Sequence, residues 1–410
     1  MASSPIRPYT IAVPDFKLQR LKQKLAIFDL PDDFPETEPW TCGPPVADIQ
    51  RLAMYWANGF DWRKAEATLN ELPNFMTQID VDGYGTYDIH FVHQQSQVKN
   101  AIPLLFAHGW PGCFLEVTKI LPLLVDGGKD YPAFHVVAPS HVNFGFSSPS
   151  RKAKFNIDQH AEVCHKLMQK LGYKEYVVQG GDLGYGVARF MAMKYSSSCK
   201  AHHINLASPA EPKPDTHPDL YAKLQSTPLT DWEKAGVERT TAFATSGMAY
   251  HNIQATKPQT IGYAVTAHPV GLLAWIYDKL HDWTDEYPWT DDEILTWISI
   301  YEFSTAGPWA DMRIYYDDTH REPEPCFAKA RDYVDVKLGV SRFPKELLLQ
   351  PKLWHYTMGP VVLIKEHERG GHFAAWEVPE LLVGDIREMF GKGGGAFGCV
   401  DGKSGYDNYT

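Results

Sequence analysis

A short stretch in the middle of the chain places the strongest constraint on its fold. Residues 177–186 read Val-Val-Gln-Gly-Gly-Asp-Leu-Gly-Tyr-Gly, a β-rich run that ends at small residues around Asp182. This pattern predicts a nucleophile elbow, a sharp strand-to-helix turn whose central residue is strained. Gly180 and Gly184 flank Asp182, and their lack of side chains allows the strand and the following helix to approach closely.

The residue at the centre of this turn decides which chemistry is possible. A serine in this position attacks a carbonyl carbon, whereas a carboxylate attacks an sp3 carbon and becomes an ester on the protein itself. A plain Gly/Asp turn after a buried strand is the simpler interpretation, and turn statistics favour it when the motif is taken alone. Asp182 is therefore a candidate nucleophile that needs support from other parts of the sequence.

Composition limits the possible partners. The 410 residues include 39 basic and 50 acidic side chains, and the net charge of −11 argues against a nucleic-acid or anionic-membrane surface. An uncharged, apolar substrate is compatible with this charge.

Six scattered cysteines without a Cys-x-x-Cys pair favour reduced thiols. Because the N-terminus has no apolar segment and no run of about 18 apolar residues occurs, we expect a soluble, cytoplasmic protein.

The pattern of apolar residues divides the chain into five segments. Residues 1–100 predict amphipathic helices and a hairpin, an N-terminal extension. Residues 101–210 and 326–395 carry short apolar strands between Gly/Pro turns and helices, which predicts an α/β core with a parallel sheet. Residues 211–325 predict a mainly helical insertion, here called the lid, and residues 396–410 a flexible tail. The predicted strands are 75–81, 87–93, 102–107, 134–138, 176–179, 204–207, 334–340 and 361–364.

A second motif follows the first strand of the predicted core. Residues 108–112 read HGWPG. Gly109 removes steric bulk and Pro111 fixes the chain direction, so a tight turn can aim the backbone N–H of Trp110 into a pocket. Together with the N–H of Leu183 it would form an oxyanion hole. An ordinary strand-to-helix loop is the alternative for His-Gly alone, and the elbow downstream favours the oxyanion hole.

An ester on Asp182 must be hydrolysed, so the site needs a base that activates water. His372 lies in a Gly-rich loop after the last apolar strand, where the chain order nucleophile, acid, histidine puts the base. The acid that orients this histidine is expected after the preceding strand. Glu346 is best placed there, and Asp332 and Asp335 are alternatives that periodicity does not exclude.

Several potential metal ligands lie near the candidate base. His367 and His372 are five residues apart, with Glu366 and Glu368 nearby. No further ligands stand at helical spacing, as a metal centre would require. We therefore expect neither a metal nor another cofactor.

The motifs HGWPG, QGGDLG, FPKEL and RGGHFAAWEVPELL together resemble the microsomal-type epoxide hydrolase family, including its soluble fungal members. The resemblance covers most of the chain, including residues 15–21 in the N-terminal region. It implies an α/β-hydrolase fold and the conversion of an epoxide and water to a vicinal diol through a covalent aspartyl ester. It also implies Asp182 as nucleophile, His372 as base, Glu346 as orienting acid, and a homodimer.

The same resemblance assigns two lid tyrosines as hydrogen-bond donors to the epoxide oxygen. Tyr250 matches the first, and Tyr315 matches the second, with the adjacent Tyr316 as an alternative. A phenol with a pKa of about 10 stays protonated at neutral pH and can still protonate a more basic alkoxide. Two neutral donors also avoid the cost of burying a cation.

The sequence departs from the family pattern at two places. Residues 141–143 read His-Val-Asn, whereas the family usually has Pro-Gly before its aromatic-Gly-Phe-Ser motif. The shape of this loop therefore does not transfer from the family. Leu183 stands where several relatives have tryptophan. A haloalkane dehalogenase uses the same aspartate but needs N–H donors for a halide, so paired tyrosines favour the epoxide. The sequence is also compatible with a catalytically silent receptor for a small apolar ligand and with an enzyme that opens epoxides intramolecularly.

Overall fold

A computed structural model describes residues 4–407, and in this range the strands form a single nine-stranded sheet flanked by helices. The strands are β1 Arg7–Pro8, β2 Asn74–Val81, β3 Gly85–Gln94, β4 Ile102–Ala107, β5 Phe134–Pro139, β6 Tyr176–Gly180, β7 Cys199–Ile204, β8 Lys337–Arg342 and β9 Val361–Glu366. Their spatial order is β1-β2-β3-β5-β4-β6-β7-β8-β9. The six strands from β5 to β9 in this order are parallel, and β1 to β3 add an antiparallel edge. The predicted α/β fold with a mostly parallel sheet is confirmed.

Helices lie before, within and after the lid segment. Before the lid they are α1 Asp15–Leu25, α2 Val46–Asn58, α3 Trp62–Leu69, α4 Val117–Val125, α5 Ile157–Lys170 and α6 Leu183–Lys194. Within the lid they are α7 Pro218–Ser226, α8 Asp231–Ala242, α9 Ala249–Thr256, α10 Pro258–Ala267, α11 Pro269–Asp282, α12 Asp291–Glu302 and α13 Arg313–Thr319. After it come α14 Cys326–Lys329, α15 Ala374–Glu377 and α16 Pro379–Phe390. No helix between residues 4 and 407 is long and apolar enough to cross a membrane.

One strand lies away from its predicted position. The sequence predicts a strand at 204–207, whereas β7 covers Cys199–Ile204. The reason is that β7 contains His202 and His203, which are fully buried although histidine interrupts an apolar pattern. A smaller shift affects β8, which begins at Lys337 and not at 334.

The segment predicted as a flexible tail folds back onto the core as far as the structure describes it. Ala396, Val400 and Tyr406 are buried. Gly405 accepts a hydrogen bond from the Ala133 backbone N–H and donates one to the Asn100 carbonyl. Residues 396–407 therefore cover the loop that leads into β5, and residues 408–410 lie outside the described range.

The predicted elbow is present between β6 and α6. Asp182 has a φ of 52°, in the left-handed region that is unfavourable for a residue with a side chain. A Cβ atom on Gly184 would lie 1.9 Å from the Ala107 carbonyl oxygen, and one on Gly180 would lie 2.3 Å from the Gly184 carbonyl oxygen. Only glycines at these two positions allow α6 to start this close to β4 and β6.

The variant Gly184→Ala tests this close contact. Because the new methyl group would overlap the backbone of β4, we expect a loss of about 2–3 kcal/mol in the free energy of unfolding, measured by urea denaturation. Gly384→Ala in α16 is the matched control, since a Cβ there meets nothing within 4 Å. The control should be stabilised by about 1 kcal/mol, the helix-propensity difference. Equal effects at both positions would contradict this account of the elbow.

Candidate active site

The carboxyl ends of four parallel strands bring the predicted site residues together. Trp110 follows β4, Asp182 follows β6, Glu346 follows β8 and His372 follows β9. In an open α/β sheet these ends meet at one edge, which is where ligand sites form. The side chains of His372, Glu346 and Asp182 are 3%, 1% and 13% exposed, so their charges interact with little screening by water.

The imidazole of His372 lies between two carboxylates. Its Nδ1 is 2.6 Å from Oε1 of Glu346, and its Nε2 is 3.4 Å from Oδ2 of Asp182. A parallel bridge between Lys345 and Gly371 holds the two loops side by side, so the residues that follow each of them meet. This is the placement that the predicted roles of nucleophile, base and orienting acid require.

The two alternative acids lie elsewhere. Asp332 and Asp335 are exposed, and the Asp332 carboxylate is 2.6 Å from the Lys329 ammonium. Glu346 is thus the carboxylate that the fold brings to His372. Burial of the imidazole would lower the pKa of His372, but Glu346 and Asp182 outweigh that effect and raise it well above its usual value.

The HGWPG loop contacts the other side of the candidate nucleophile. The backbone N–H of Trp110 donates to Oδ1 of Asp182 at 2.7 Å. A Cβ atom on Gly109 would lie 2.3 Å from Cβ of Asp182. The loop can therefore approach Asp182 this closely only because residue 109 is a glycine. Leu183 begins α6, and within the described structure its N–H makes no hydrogen bond to the Asp182 carboxylate. One of the two expected donors therefore contacts Asp182.

The two lid tyrosines border the same space. Tyr250 on α9 stacks on Trp110 at a centroid distance of 5.1 Å, and Tyr315 on α13 meets the edge of Trp110 at 5.7 Å. Burial raises the pKa of both phenols well above 10, and the charge of Asp182 adds to this effect. Both side chains are therefore neutral hydrogen-bond donors. The hydroxyl of Tyr315 is buried and has no partner among the described residues.

The structure also decides the register between the adjacent tyrosines. Tyr315 is 6% exposed and faces Trp110, whereas Tyr316 is 41% exposed and stacks on His320 at 4.1 Å. Their side chains point in different directions because consecutive helical residues are about 100° apart. Tyr316 therefore lies outside the site.

Sequence reasoning missed the lid side chains that hold the HGWPG loop. The indole N–H of Trp110 donates to Asp311 at 2.6 Å, and the indole of Trp297 donates to the Pro111 carbonyl at 2.6 Å. The Tyr301 hydroxyl donates to the next carbonyl, that of Gly112. Burial raises the pKa of Asp311 to about 7. An acidic residue within an otherwise apolar stretch was the available signal for Asp311.

Two cavities adjoin these residues. One, of about 20 Å³, is bordered by Asp182 and His372. The other, of about 680 Å³, reaches Tyr250 and Trp283 from the lid surface. Trp283 also contacts the imidazole of His372, at a centroid distance of 5.0 Å. The rings of Tyr250 and Trp283 thus line the larger cavity where it approaches the candidate catalytic residues.

The potential metal ligands near the base are used otherwise. His367 is paired with Asp385 at 2.7 Å, and Glu366 forms an ion pair with Arg342. Among residues 4–407, no group of three or more His, Cys, Asp or Glu side chains could hold a metal ion.

Comparison with known proteins agrees with this geometry. Residues 102–228 match the family described as "alpha/beta hydrolase fold", and residues 6–117 match "Epoxide hydrolase N terminus". The chain thus has the α/β-hydrolase fold. It is 40% identical to a putative epoxide hydrolase of Stigmatella aurantiaca, covering 94% of this chain and 84% of that protein. It is 34% identical to epoxide hydrolase 1 of Sus scrofa, covering 94% and 88%.

A solved structure extends the agreement to three dimensions. The Aspergillus niger epoxide hydrolase superposes with a TM-score of 0.79 at 33% identity, covering 94% of this chain and 96% of that one. The chain therefore belongs to the epoxide hydrolase family and is a hydrolase.

The variant Glu346→Gln tests the choice of orienting acid. Removing one of the two carboxylates that raise the pKa of His372 should lower that pKa, and an NMR titration of the imidazole resonances measures the change. Asp332→Asn and Asp335→Asn are matched controls that should leave the titration unchanged. A shift in either control as large as that in Glu346→Gln would show that the assignment is wrong.

Proposed function

We propose that this epoxide hydrolase acts through a covalent ester on Asp182. The observation that carries the proposal is the position of this carboxylate beside His372, with two buried phenols in reach of its charge. A nucleophile, a base and two proton donors in one enclosed space are the groups that ring opening and ester hydrolysis require.

In the first step, an oxygen of Asp182 attacks one carbon of the epoxide. A new carbon–oxygen bond joins the substrate to the protein, and the ring bond between that carbon and the epoxide oxygen breaks. The oxygen takes a proton from Tyr250 or Tyr315, which leaves a tyrosinate stabilised by the other phenol. The N–H of Trp110 orients the attacking carboxylate through Oδ1.

In the second step, His372 takes a proton from water, and the resulting hydroxide attacks the carbonyl carbon of the ester. The bond between that carbon and the diol oxygen then breaks. The diol oxygen receives the proton held by His372, and the proton on the newly formed carboxyl group returns to the tyrosinate. The sum is one epoxide and one water converted to one vicinal diol.

The charge of Asp182 couples the two steps. While Asp182 is ionised, it contributes to the raised pKa of His372. Ester formation removes that charge, so the pKa of His372 falls and its extra proton is released to solvent, which leaves a neutral imidazole that can act as a base. The proton is taken up again when Asp182 regains its charge. Glu346 remains to stabilise the imidazolium that forms during water attack.

The substrate class follows from the surroundings of the carboxylate. The larger cavity, bordered by Tyr250, Trp283 and Phe243, falls within the volume range of small-molecule sites. These three rings favour an apolar group on the epoxide, whereas charged side chains line the outer part of the same cavity, namely Glu238, Arg239, Asp278, Lys279 and Asp282. The homodimer and the cytoplasmic location implied by the sequence remain predictions.

A single turnover in heavy-oxygen water tests the covalent route. With the enzyme in excess over styrene oxide, water attacks the ester carbonyl, so one heavy oxygen should appear in the Asp182 carboxylate, detected by mass spectrometry of the peptide. The diol from this first turnover should carry none. Label found only in the diol would refute the ester and favour direct attack by water. Asp182→Ala should have no measurable activity.

The tyrosines are tested separately from the ester chemistry. Tyr250→Phe and Tyr315→Phe each remove one proton donor, so we expect the rate of ester formation to fall about 100-fold, measured by rapid quench. Tyr316→Phe is the matched control and should form the ester at the rate of the unaltered enzyme.

Rapid release of halide from chloroalkanes, with no diol formed from a panel of aryl and alkyl epoxides, would instead favour a dehalogenase.

A further inference from the structure

The smaller cavity beside Asp182 has polar walls that the steps above do not use. Its volume of about 20 Å³ is close to the space that one water molecule occupies. Asp182 and His372 border it, together with Glu116, Gln179 and Asn205.

Two of these polar side chains have an unpaired oxygen. Oε1 of Glu116 and Oε1 of Gln179 are buried and have no hydrogen-bond partner among the described residues. The amide nitrogen of Gln179 donates to Asn205 at 2.8 Å, which fixes the amide so that its oxygen remains the free acceptor. Buried polar atoms of this kind are normally satisfied by an ordered water.

The protonation of Glu116 complements these acceptors. Burial raises the pKa of its carboxyl to about 8, His372 lowers it, the charge of Asp182 raises it further, and hydrogen bonds with the backbone of Cys113 and Gly109 lower it. In its protonated form the carboxyl can donate a hydrogen bond to a water oxygen. Gln179 can accept one hydrogen of the same water, and Nε2 of His372 can accept the other. The remaining lone pair of that water can then point to the carboxyl carbon of Asp182.

We infer that Glu116 and Gln179 hold the water molecule that hydrolyses the ester on Asp182. The inference rests on the covalent mechanism proposed above and assigns two positioning residues to its second step. Neither residue is needed for ring opening, because the epoxide approaches from the side of the two lid tyrosines. Their loss should therefore slow ester hydrolysis selectively.

Rapid-quench mass spectrometry, which follows ester formation and ester decay separately with styrene oxide, tests this inference. In Glu116→Ala we expect ester formation within about threefold of the unaltered enzyme, ester decay at least about tenfold slower, and accumulation of the ester. Glu116→Gln should restore most of the decay rate, because a neutral amide also donates. Gln179→Met, which removes the acceptor at similar size, should slow decay in the same selective way.

Glu302 provides the matched control. Its carboxyl is also largely buried, with a pKa raised by burial to about 7, but its charged neighbours are Lys24, Arg20 and Lys17 on α1. Glu302→Ala should change neither rate.

Three outcomes are decisive. Equal slowing of both steps in Glu116→Ala and Gln179→Met would indicate a structural role and overturn the inference. Unchanged ester decay in both variants would do the same while leaving the covalent mechanism intact. His372→Gln separates the two proposals, since it should trap the ester whatever Glu116 does. If no ester forms in that variant, the covalent mechanism fails and the inference fails with it.

Discussion

The geometry of the site depends on the close contact between α6 and β4. Because Gly184 lies directly against the Ala107 backbone, α6 begins at the edge of the sheet and holds Asp182 in a left-handed conformation. That conformation directs the carboxylate away from the helix, toward Trp110 on one side and His372 on the other. A backbone strain confined to one residue and compensated by the surrounding packing is typical of functional sites.

Burial favours the neutral form of each ionisable group that surrounds this carboxylate, and at one of them neighbouring charges outweigh it. It keeps the phenols of Tyr250 and Tyr315 and the carboxyl of Glu116 in their neutral forms. For His372 the two neighbouring carboxylates outweigh it and favour the charged form. The site thus holds neutral donors and a protonated histidine in one enclosed space. In the proposed reaction, neutralising Asp182 removes part of the effect that raises the pKa of His372, while Glu346 keeps its charge.

Much of this site could be predicted from the sequence because its central residues follow strands. Trp110, Asp182 and His372 each come after a strand that forms the parallel sheet, and parallel strands end at the same edge. Spacing alone could not separate Glu346 from Asp332 and Asp335. The fold separates them, because Glu346 is buried beside His372 whereas both aspartates are exposed. The strand β7 was misplaced because buried histidines look polar in a sequence.

The groups that were missed depend on contacts between distant parts of the chain. Asp311 lies 201 positions after Trp110, and no local pattern indicates that they meet. Glu116 lies close in sequence to the HGWPG loop, but only the fold shows that its carboxyl borders the cavity beside Asp182. Periodicity describes which face of an element is buried. It does not reveal which buried polar atoms remain unpaired.

The hydrogen bonds from the lid to Trp110, Pro111 and Gly112 have a mechanical consequence. In the proposed reaction, the Trp110 amide that orients the carboxylate and the phenols that protonate the oxygen would act as one coupled unit, since both depend on the lid. A displacement that admits a bulky molecule would disturb attack and protonation together. In the proposed reaction, alkylation of Asp182 would therefore require that these lid hydrogen bonds are intact.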